Sequence, residues 1–155
     1  MKKLISNNPE VSKKIAQKFA VEILSGKVGG KKNGALVLAL TGDLGSGKTT
    51  FAQNFAEALG IKEKIKSPTF IIFRKSKIKN KGWSEKGFEN FYHFDVYRIH
   101  REKEILNLGW EEIIKNPENI VLVEWADKME KILPNHCVKI NFKHLKGDKR
   151  EVVFS

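Results

Sequence analysis

Residues Gly42 to Thr49 read G-D-L-G-S-G-K-T, a complete phosphate-binding loop of the form GxxxxGK[S/T]. The apolar run Ala35–Leu40 precedes this loop, and the stretch Thr50–Leu59, which has helix-forming composition, follows it. A loop of this kind binds phosphate where it joins a buried strand to a helix, and the flanking residues predict that context. The sequence therefore predicts an α/β protein that holds a nucleotide by its phosphates.

The residue types in the loop fit phosphate and metal binding. Gly42, Gly45 and Gly47 let the backbone wrap closely round phosphate oxygens with its N–H groups pointing inward. The N-terminus of the following helix adds the positive end of its dipole. We expect Lys48 to reach the β- and γ-phosphates and the Thr49 hydroxyl to hold Mg²⁺.

Length and composition favour one globular domain. The chain has 155 residues, of which 41% are hydrophobic and 30% charged, so it can bury a core and is not a disordered protein. No apolar run approaches the ~20 residues that span a bilayer, and Met1–Asn8 lacks the apolar segment of a secretory signal. The single cysteine, Cys137, excludes an internal disulfide and fits a reducing compartment. We expect a single domain over residues 1–155, located in the cytoplasm.

The formal net charge is +11, because 29 lysines and arginines stand against 18 acidic residues. Such a balance favours anionic partners such as nucleotides, RNA or an acidic protein face. Much of the charge is lysine scattered over the whole chain, which is also typical of a compositional bias. The sequence leaves both explanations open.

Hydrophobic periodicity divides the chain into alternating helices and strands. Asn8-Pro9-Glu10 is a typical helix start, and apolar residues recur at helical spacing from Val11 to Ile23. Further strands are predicted at residues 70–74, 90–97, 120–123, 138–142 and 150–154, and further helices at 101–108, 110–114 and 126–132. This order predicts a three-layer α/β fold of the P-loop NTPase type, with a mostly parallel central sheet and antiparallel additions.

The segment from Lys75 to Glu89 is polar and rich in lysine, and we interpret it as a basic hairpin or loop insertion. It contains Trp83. A tryptophan is more often a packing group than a base stacker, but an exposed aromatic in a basic loop can stack on a base or bind a partner. Both interpretations of Trp83 stay open.

Phosphate hydrolysis or transfer also needs an acid that positions Mg²⁺. Such an acid usually follows an apolar strand beside the loop, and the strand Ile120–Val123 ends in Glu124. We therefore predict that Glu124 approaches the metal or its water shell.

Two further residues have alternative interpretations. Period-2 spacing places His93, Asp95 and Tyr97 on one face of a strand, where Asp95 is either a metal ligand or water-orienting base, or the salt-bridge partner of Arg98. Thr69 either stands at a plain strand entry or senses the γ-phosphate and Mg²⁺ as a switch residue.

Together these stretches resemble the TsaE (YjeE) family, small bacterial ATPases needed to make threonylcarbamoyladenosine in tRNA. The resemblance rests on Gly42–Thr50 (GDLGSGKTT), Ser67–Phe70 (SPTF), His93–Arg98 (HFDVYR) and Val123–Trp125 (VEW), in that order. It extends from the first predicted helix to the final hairpin.

The resemblance implies that ATP and Mg²⁺ are the cofactors. It implies that Thr49 and Glu124 hold Mg²⁺, that Asp95 is essential for hydrolysis together with Lys48, and that Thr69 is the switch threonine. It further implies that the start of the first helix and a C-terminal arginine border the nucleotide. The nucleotide-binding residues so implied are Glu10, Gly42, Asp43, Leu44, Gly45, Ser46, Gly47, Lys48, Thr49, Thr50 and Arg150.

The resemblance also implies a protein partner, a threonylcarbamoyl-transferase heterodimer of TsaD and TsaB type proteins whose repeated turnover the ATPase supports. Two alternatives use the same loop. A small-molecule kinase would carry an arginine-bearing lid, and no run of the sequence resembles one. A nucleotide-dependent RNA-binding module is favoured by the basic charge and disfavoured by the set Lys48, Thr49, Asp95 and Glu124. A basic surface in contact with tRNA is compatible with the ATPase hypothesis.

Overall fold

The computed structural model describes residues 1–29, 33–63 and 72–155. Within these ranges seven strands form one sheet in the order β1-β7-β6-β2-β5-β4-β3. The strands are β1 (Lys2–Ser6), β2 (Leu36–Gly42), β3 (Phe73–Lys77), β4 (Asn90–Asp95), β5 (Asn119–Glu124), β6 (Val138–His144) and β7 (Arg150–Phe154). The helices are α1 (Pro9–Leu24), α2 (Lys48–Ala58), α3 (Lys81–Glu85), α4 (Glu102–Leu106) and α5 (Trp110–Lys115), and Ala126–Ile132 forms a 3-10 helix.

The centre of the sheet is parallel and its edges are antiparallel. Strands β6, β2, β5 and β4 run parallel to one another, whereas β7 and β1 on one side and β3 on the other pair antiparallel. Parallel strands are buried on both faces, which explains why β2 and β5 read as continuous apolar runs. The predicted mixed sheet with antiparallel additions is confirmed.

Helices cover both faces of this sheet, so the predicted three layers are present. Along β2, Leu38 and Leu40 pack in one core with α1 and α2. Val37 and Ala39, which alternate with them, pack in a second core with α4, α5 and the 3-10 helix. Because side chains alternate with period two, a slip of one residue would exchange these faces, and the two cores therefore fix the register of β2.

Helix α1 begins as its sequence predicts. The Asn8 side chain accepts a hydrogen bond of 2.9 Å from the Val11 N–H, and Pro9 occupies the first turn, where it has no N–H to satisfy. This helix has 16 residues. No helix in the described ranges combines the length and the apolar composition that crossing a membrane requires.

Strand β1 was not predicted from the sequence. Among the described residues it lies at the edge of the sheet and pairs only with β7, and its sequence KKLIS has no long apolar run. An edge strand of this kind can place lysines in solvent, so it has little hydrophobic signal.

Several predicted strands have different bounds, and β6, for example, continues to His144, two residues beyond its predicted end. Strand β4 ends at Asp95, two residues earlier than predicted, because the Asp95 carboxylate accepts a hydrogen bond of 3.1 Å from the Tyr97 N–H and turns the chain. The strand predicted at 70–74 lies partly outside the described residues. Of its described residues, Phe73 and Arg74 belong to β3, which continues to Lys77.

The basic segment 75–89 is an integral part of the sheet and its core. Strands β3 and β4 pair as an antiparallel hairpin, and α3 lies in their connection. Trp83 of α3 is 1% exposed, and its indole N–H donates a hydrogen bond of 3.1 Å to the Ala58 carbonyl. The rings of Phe55 and Phe88 lie 5.9 Å from it, centre to centre. Trp83 is thus a packing residue and cannot stack on an external base.

We expect Trp83→Ala to lower the free energy of unfolding by about 3–5 kcal/mol, because loss of the buried indole leaves a cavity and removes one of the hydrogen bonds to the Ala58 carbonyl. Urea unfolding monitored by circular dichroism measures this loss. Val21→Ala on the exposed face of α1, where Val21 is 62% exposed, is the control and should change stability by less than about 0.5 kcal/mol. Equal stability of the two variants would contradict the packing described for α3.

Candidate nucleotide-binding site

The phosphate-binding loop joins β2 to α2, as predicted, and its glycines have conformations that other residues rarely adopt. The φ angles are 137° at Gly42, 75° at Gly45 and 106° at Gly47. A Cβ atom on Gly42 would lie 2.2 Å from the Phe142 carbonyl oxygen of β6. The loop is therefore packed tightly against the neighbouring strand at Gly42.

Lys48 lies at the centre of the loop with its side chain folded back over the backbone. Its ammonium donates hydrogen bonds of 2.6 Å to the Gly42 carbonyl, 2.8 Å to the Asp43 carbonyl and 3.3 Å to Ser46 Oγ. It also lies 4.0 Å from the centre of the Trp125 ring, which is cation–π distance. Lys48 and Ser46 are both buried. The loop thus encloses a positive charge that phosphate oxygens can bind.

Burial and nearby carboxylates act in opposite directions on Lys48. Burial lowers the pKa of Lys48 below its ordinary value because it disfavours the charged ammonium. The carboxylates of Glu124, Asp127, Asp43 and Asp95 oppose this effect by attracting the positive charge. A buried lysine whose pKa is shifted by burial and by specific carboxylates marks a candidate functional site.

Thr49 and Glu124 meet beside the loop. Thr49 Oγ1 donates a hydrogen bond of 2.6 Å to Glu124 Oε1. Glu124 is the last residue of β5 and lies in register with Leu40 of β2 and Asp95 of β4. A hydroxyl oxygen beside a carboxylate oxygen is the kind of ligand set that Mg²⁺ takes together with water and phosphate. The donor set therefore fits the predicted metal.

Asp95 lies at the same edge of the sheet, directly beside Glu124. Its register with Glu124 follows from the parallel pairing of β4 and β5. The side chain is half-buried, and its Oδ1 accepts the hydrogen bond from the Tyr97 N–H. Parallel strands thus bring both predicted acids to the loop.

The two outlying predicted residues, Arg150 and Glu10, differ in their contacts. Arg150 of β7 reaches the loop, because its Nε donates a hydrogen bond of 3.2 Å to the Gly45 carbonyl. Glu10 is exposed and forms an ion pair with Lys14 at 3.4 Å, one turn along α1. Ser12, two residues further on, lines a small depression together with Arg150. The start of α1 therefore borders the loop, while the Glu10 carboxylate is engaged on the helix surface.

The remaining predicted residues are exposed or lie outside the described ranges. Asp43, Leu44 and Thr50 are exposed, and Leu44 is 77% exposed at the tip of the loop. Thr69 lies outside the described residues, so its predicted role stays a prediction.

Two residues at the site were not assigned to it from the sequence. His93 of β4 hydrogen-bonds to Glu124, with Nε2 and Oε2 2.6 Å apart. The sequence placed His93 on the face of Asp95, but this contact depends on β4 lying beside β5, which no local pattern reveals. Trp125 packs against the second core, and its ring also lies over the Lys48 ammonium.

A separate cavity of about 700 Å³ lies at the opposite end of the sheet. It is lined by the last turn of α1, the first residues of β2 and the residues that precede β4 and β5. None of the predicted site residues lines it. The described residues of the predicted site lie instead at the loop edge of the sheet or near it.

The sheet order, the loop between β2 and α2, and the acids at the ends of β4 and β5 define an α/β protein with a P-loop NTPase-like fold. The family model described as "Threonylcarbamoyl adenosine biosynthesis protein TsaE" matches residues 6–152. The chain belongs to the TsaE family, and the resemblance found in its sequence motifs is thereby confirmed.

Individual relatives agree with this assignment. The Bacillus subtilis tRNA threonylcarbamoyladenosine biosynthesis protein TsaE is 38% identical over 148 residues, which cover 96% of this chain and 81% of the relative. The Rickettsia felis protein of the same name is 32% identical over 148 residues, covering 95% and 75%. The crystal structure of Bacillus subtilis YdiB is similar with a TM-score of 0.67 and 34% identity, covering 99% of this chain and 83% of that one.

The packing of the loop against β6 predicts unequal effects of two glycine substitutions. Gly42→Ala should lower the free energy of unfolding by about 2–5 kcal/mol, since it combines an unfavourable φ with a clash against a backbone carbonyl. Gly45→Ala is the matched control. It also has a positive φ, but nothing lies within 4 Å of the added Cβ. Its expected cost is about 1–2 kcal/mol. Urea unfolding distinguishes them, and equal losses would contradict the close approach of β6.

Proposed function

We propose that this chain is a Mg²⁺-dependent ATPase required for threonylcarbamoyladenosine modification of tRNA. Its membership of the TsaE family supports the pathway. The ATPase activity is supported chiefly by one observation, the 2.6 Å contact between Thr49 and Glu124 beside the buried Lys48. This contact brings metal-binding oxygens and a phosphate-binding charge to the same loop. We further propose that residues 1–155 form one ATPase domain, because strands near both ends of the chain join a single sheet.

Binding of ATP would exchange the hydrogen bonds that Lys48 makes within the loop for bonds to phosphate. The backbone N–H groups from Gly42 to Thr50 would face the phosphate oxygens, and the N-terminus of α2 adds a favourable dipole. Lys48 would leave the Gly42 and Asp43 carbonyls and pair with the β- and γ-phosphates. Thr49 and Glu124 would hold Mg²⁺, which when bound neutralises charge on those phosphates.

Asp95 would accept a hydrogen bond from the water that attacks the γ-phosphate and, as general base, would take its proton while the bond to the ADP leaving group breaks. This role is supported by its position at the end of β4, in register with Glu124. Thr69 would complete the site as the residue that senses the γ-phosphate. Arg150, bonded to Gly45, would hold the loop from the side of β7.

A protein partner would complete the site. Leu44 at the tip of the loop and Tyr97 after β4 are exposed large side chains beside the proposed nucleotide site. Leu44 belongs to the loop itself, and the Tyr97 ring lies 4.8 Å from the Trp125 ring that covers Lys48, so both side chains offer apolar surface to a partner at this site. We propose that a threonylcarbamoyl-transferase heterodimer of TsaD and TsaB type proteins binds here in the cytoplasm and stimulates hydrolysis.

A contact with tRNA is the second partner that we propose. Strand β3 and the connection to β4, which contains α3, carry a set of exposed cations with few acids among them. These cations are Arg74, Lys75, Lys77, Lys79, Lys81 and Lys86. Only Lys81 among them has an ion pair within the described residues, with Glu85 at 3.9 Å. Such a surface complements phosphate backbones.

Lys48→Ala should abolish ATP binding, because the β- and γ-phosphates lose the positive charge of the Lys48 ammonium.

Asp95→Ala and Glu124→Ala should retain nucleotide but lose turnover by about 10²- to 10⁴-fold, the usual contribution of a positioned acid or base. Calorimetry for binding and phosphate release for turnover separate these effects. Asp148→Ala in the exposed turn before β7 is the control. Normal turnover of Asp95→Ala or Glu124→Ala would remove that residue from the proposed mechanism.

Hydrolysis by the purified chain alone should be slow and should rise when a matched threonylcarbamoyl-transferase heterodimer is added, because the partner covers the exposed edge of the site. Phosphate release with and without the heterodimer is the measurement, and Lys48→Ala with the heterodimer gives the background. An unchanged rate with matched partners would overturn the partner-dependent mechanism while leaving nucleotide binding intact.

A further inference from the structure

The two carboxylate oxygens of Glu124 have different partners. Oε1 accepts from the Thr49 hydroxyl, and Oε2 lies 2.6 Å from His93 Nε2. Both His93 and Glu124 are 1% exposed. Strands β4 and β5 are parallel neighbours, and His93 lies in register with Leu122 on the face that carries Glu124. A continuous chain of contacts therefore runs from α2 through β5 to β4.

Packing alone does not account for this buried pair. Removing two polar side chains from water costs free energy, and replacing such a pair with apolar residues is often neutral or stabilising. The surrounding core on this face contains Phe91, Leu122 and Phe55, which would accommodate an apolar side chain at position 93. The histidine therefore contributes something besides burial.

The surroundings of the imidazole define the direction of its hydrogen bond. His93 Nδ1 is buried and has no hydrogen-bond partner among the described residues. A proton on Nδ1 would bury an unpaired N–H donor, which is costly. The favourable tautomer therefore carries its proton on Nε2, which donates to Glu124 Oε2.

This hydrogen bond restrains a side chain that is long for its position. A glutamate has one more rotatable bond than an aspartate at the end of a strand, so its carboxylate can adopt more positions. Mg²⁺ demands nearly ideal octahedral geometry and tolerates misplaced ligands poorly. A donor fixed on Oε2 leaves Oε1 directed at Thr49 Oγ1, where the proposed metal ligands meet.

We propose that His93 is a positioning residue that orients Glu124 for Mg²⁺ and thereby determines how tightly the chain binds Mg²⁺ with ATP. This inference rests on the proposed function, because it assumes the metal site of Thr49 and Glu124. Hydrogen-bond partners of metal ligands typically contribute about 10- to 100-fold in metal affinity. His93 would contribute by the same means, without touching metal or nucleotide.

The test compares His93→Gln with His93→Asn. The amide nitrogen of glutamine can reach the place of Nε2 and donate to Glu124, whereas that of asparagine falls near the place of Nδ1 and cannot. Both variants keep a polar side chain, so they differ mainly in reach. His93→Leu removes the donor entirely, and His144→Leu, at an exposed histidine of β6, is the control.

The measurement is the dissociation constant of a non-hydrolysable ATP analogue over a Mg²⁺ titration and again in EDTA. We expect His93→Asn and His93→Leu to raise the apparent Mg²⁺ constant by about 10- to 100-fold, with affinity in EDTA unchanged. His93→Gln should restore most of the loss. Thermal unfolding of each variant verifies that it is folded.

Other outcomes separate this inference from the proposed function. Equal Mg²⁺ constants for His93→Gln and His93→Asn, or a loss that is as large in EDTA as in Mg²⁺, would overturn the positioning role. If nucleotide binding by the unsubstituted chain does not depend on Mg²⁺, the proposed metal site fails first and the role of His93 fails with it.

Discussion

The parallel alignment of β2, β5 and β4 is the constraint on which the site depends. The three strands end at one edge of the sheet, so Gly42, Glu124 and Asp95 come together although they are far apart in sequence. This alignment requires strands that are apolar on both faces and helices that cover both. The paired cores above and below β2 meet that requirement. The chemistry at the edge is therefore a consequence of how the interior is packed.

The same edge concentrates charge, and burying that charge costs free energy. Lys48 is buried, and burial disfavours its charged form. The loop compensates by offering the carbonyls of Gly42 and Asp43, and four carboxylates add longer-range attraction. These partners hold the ammonium in place before any ligand arrives. In the proposed function, phosphate would replace these carbonyl oxygens with little rearrangement of the backbone, which is the advantage of a preorganised site.

Whether a feature of this site could be predicted from the sequence depends on how far apart in the chain the interacting residues are. The loop was predictable because its glycines, Lys48 and Thr49 are contiguous. Glu124 was predictable because it is the first charged residue after the apolar run Ile120–Val123, and such a residue marks the end of a buried strand. The contact between His93 and Glu124 and that between Arg150 and Gly45 required knowing which strands are neighbours, which a local pattern does not contain. Strand β1 was missed for a different reason, since a short edge strand with only two apolar residues has little hydrophobic signal.

Trp125 shows how the end of β5 and the centre of the loop are connected. Directly after Glu124 the chain must leave the sheet, and Trp125 does so with a φ of 62°, the only positive value at a non-glycine residue in the described ranges. A bulky residue in this region is strained by about 1–3 kcal/mol. The turn places its ring 4.0 Å from the Lys48 ammonium, where a cation–π interaction of about 0.5–2 kcal/mol offsets part of the strain. The strained backbone of Trp125 is therefore stabilised by its contact with Lys48, the residue that would bind phosphate. A ligand that moved the Lys48 ammonium away from the ring would remove the interaction that favours this conformation of Trp125.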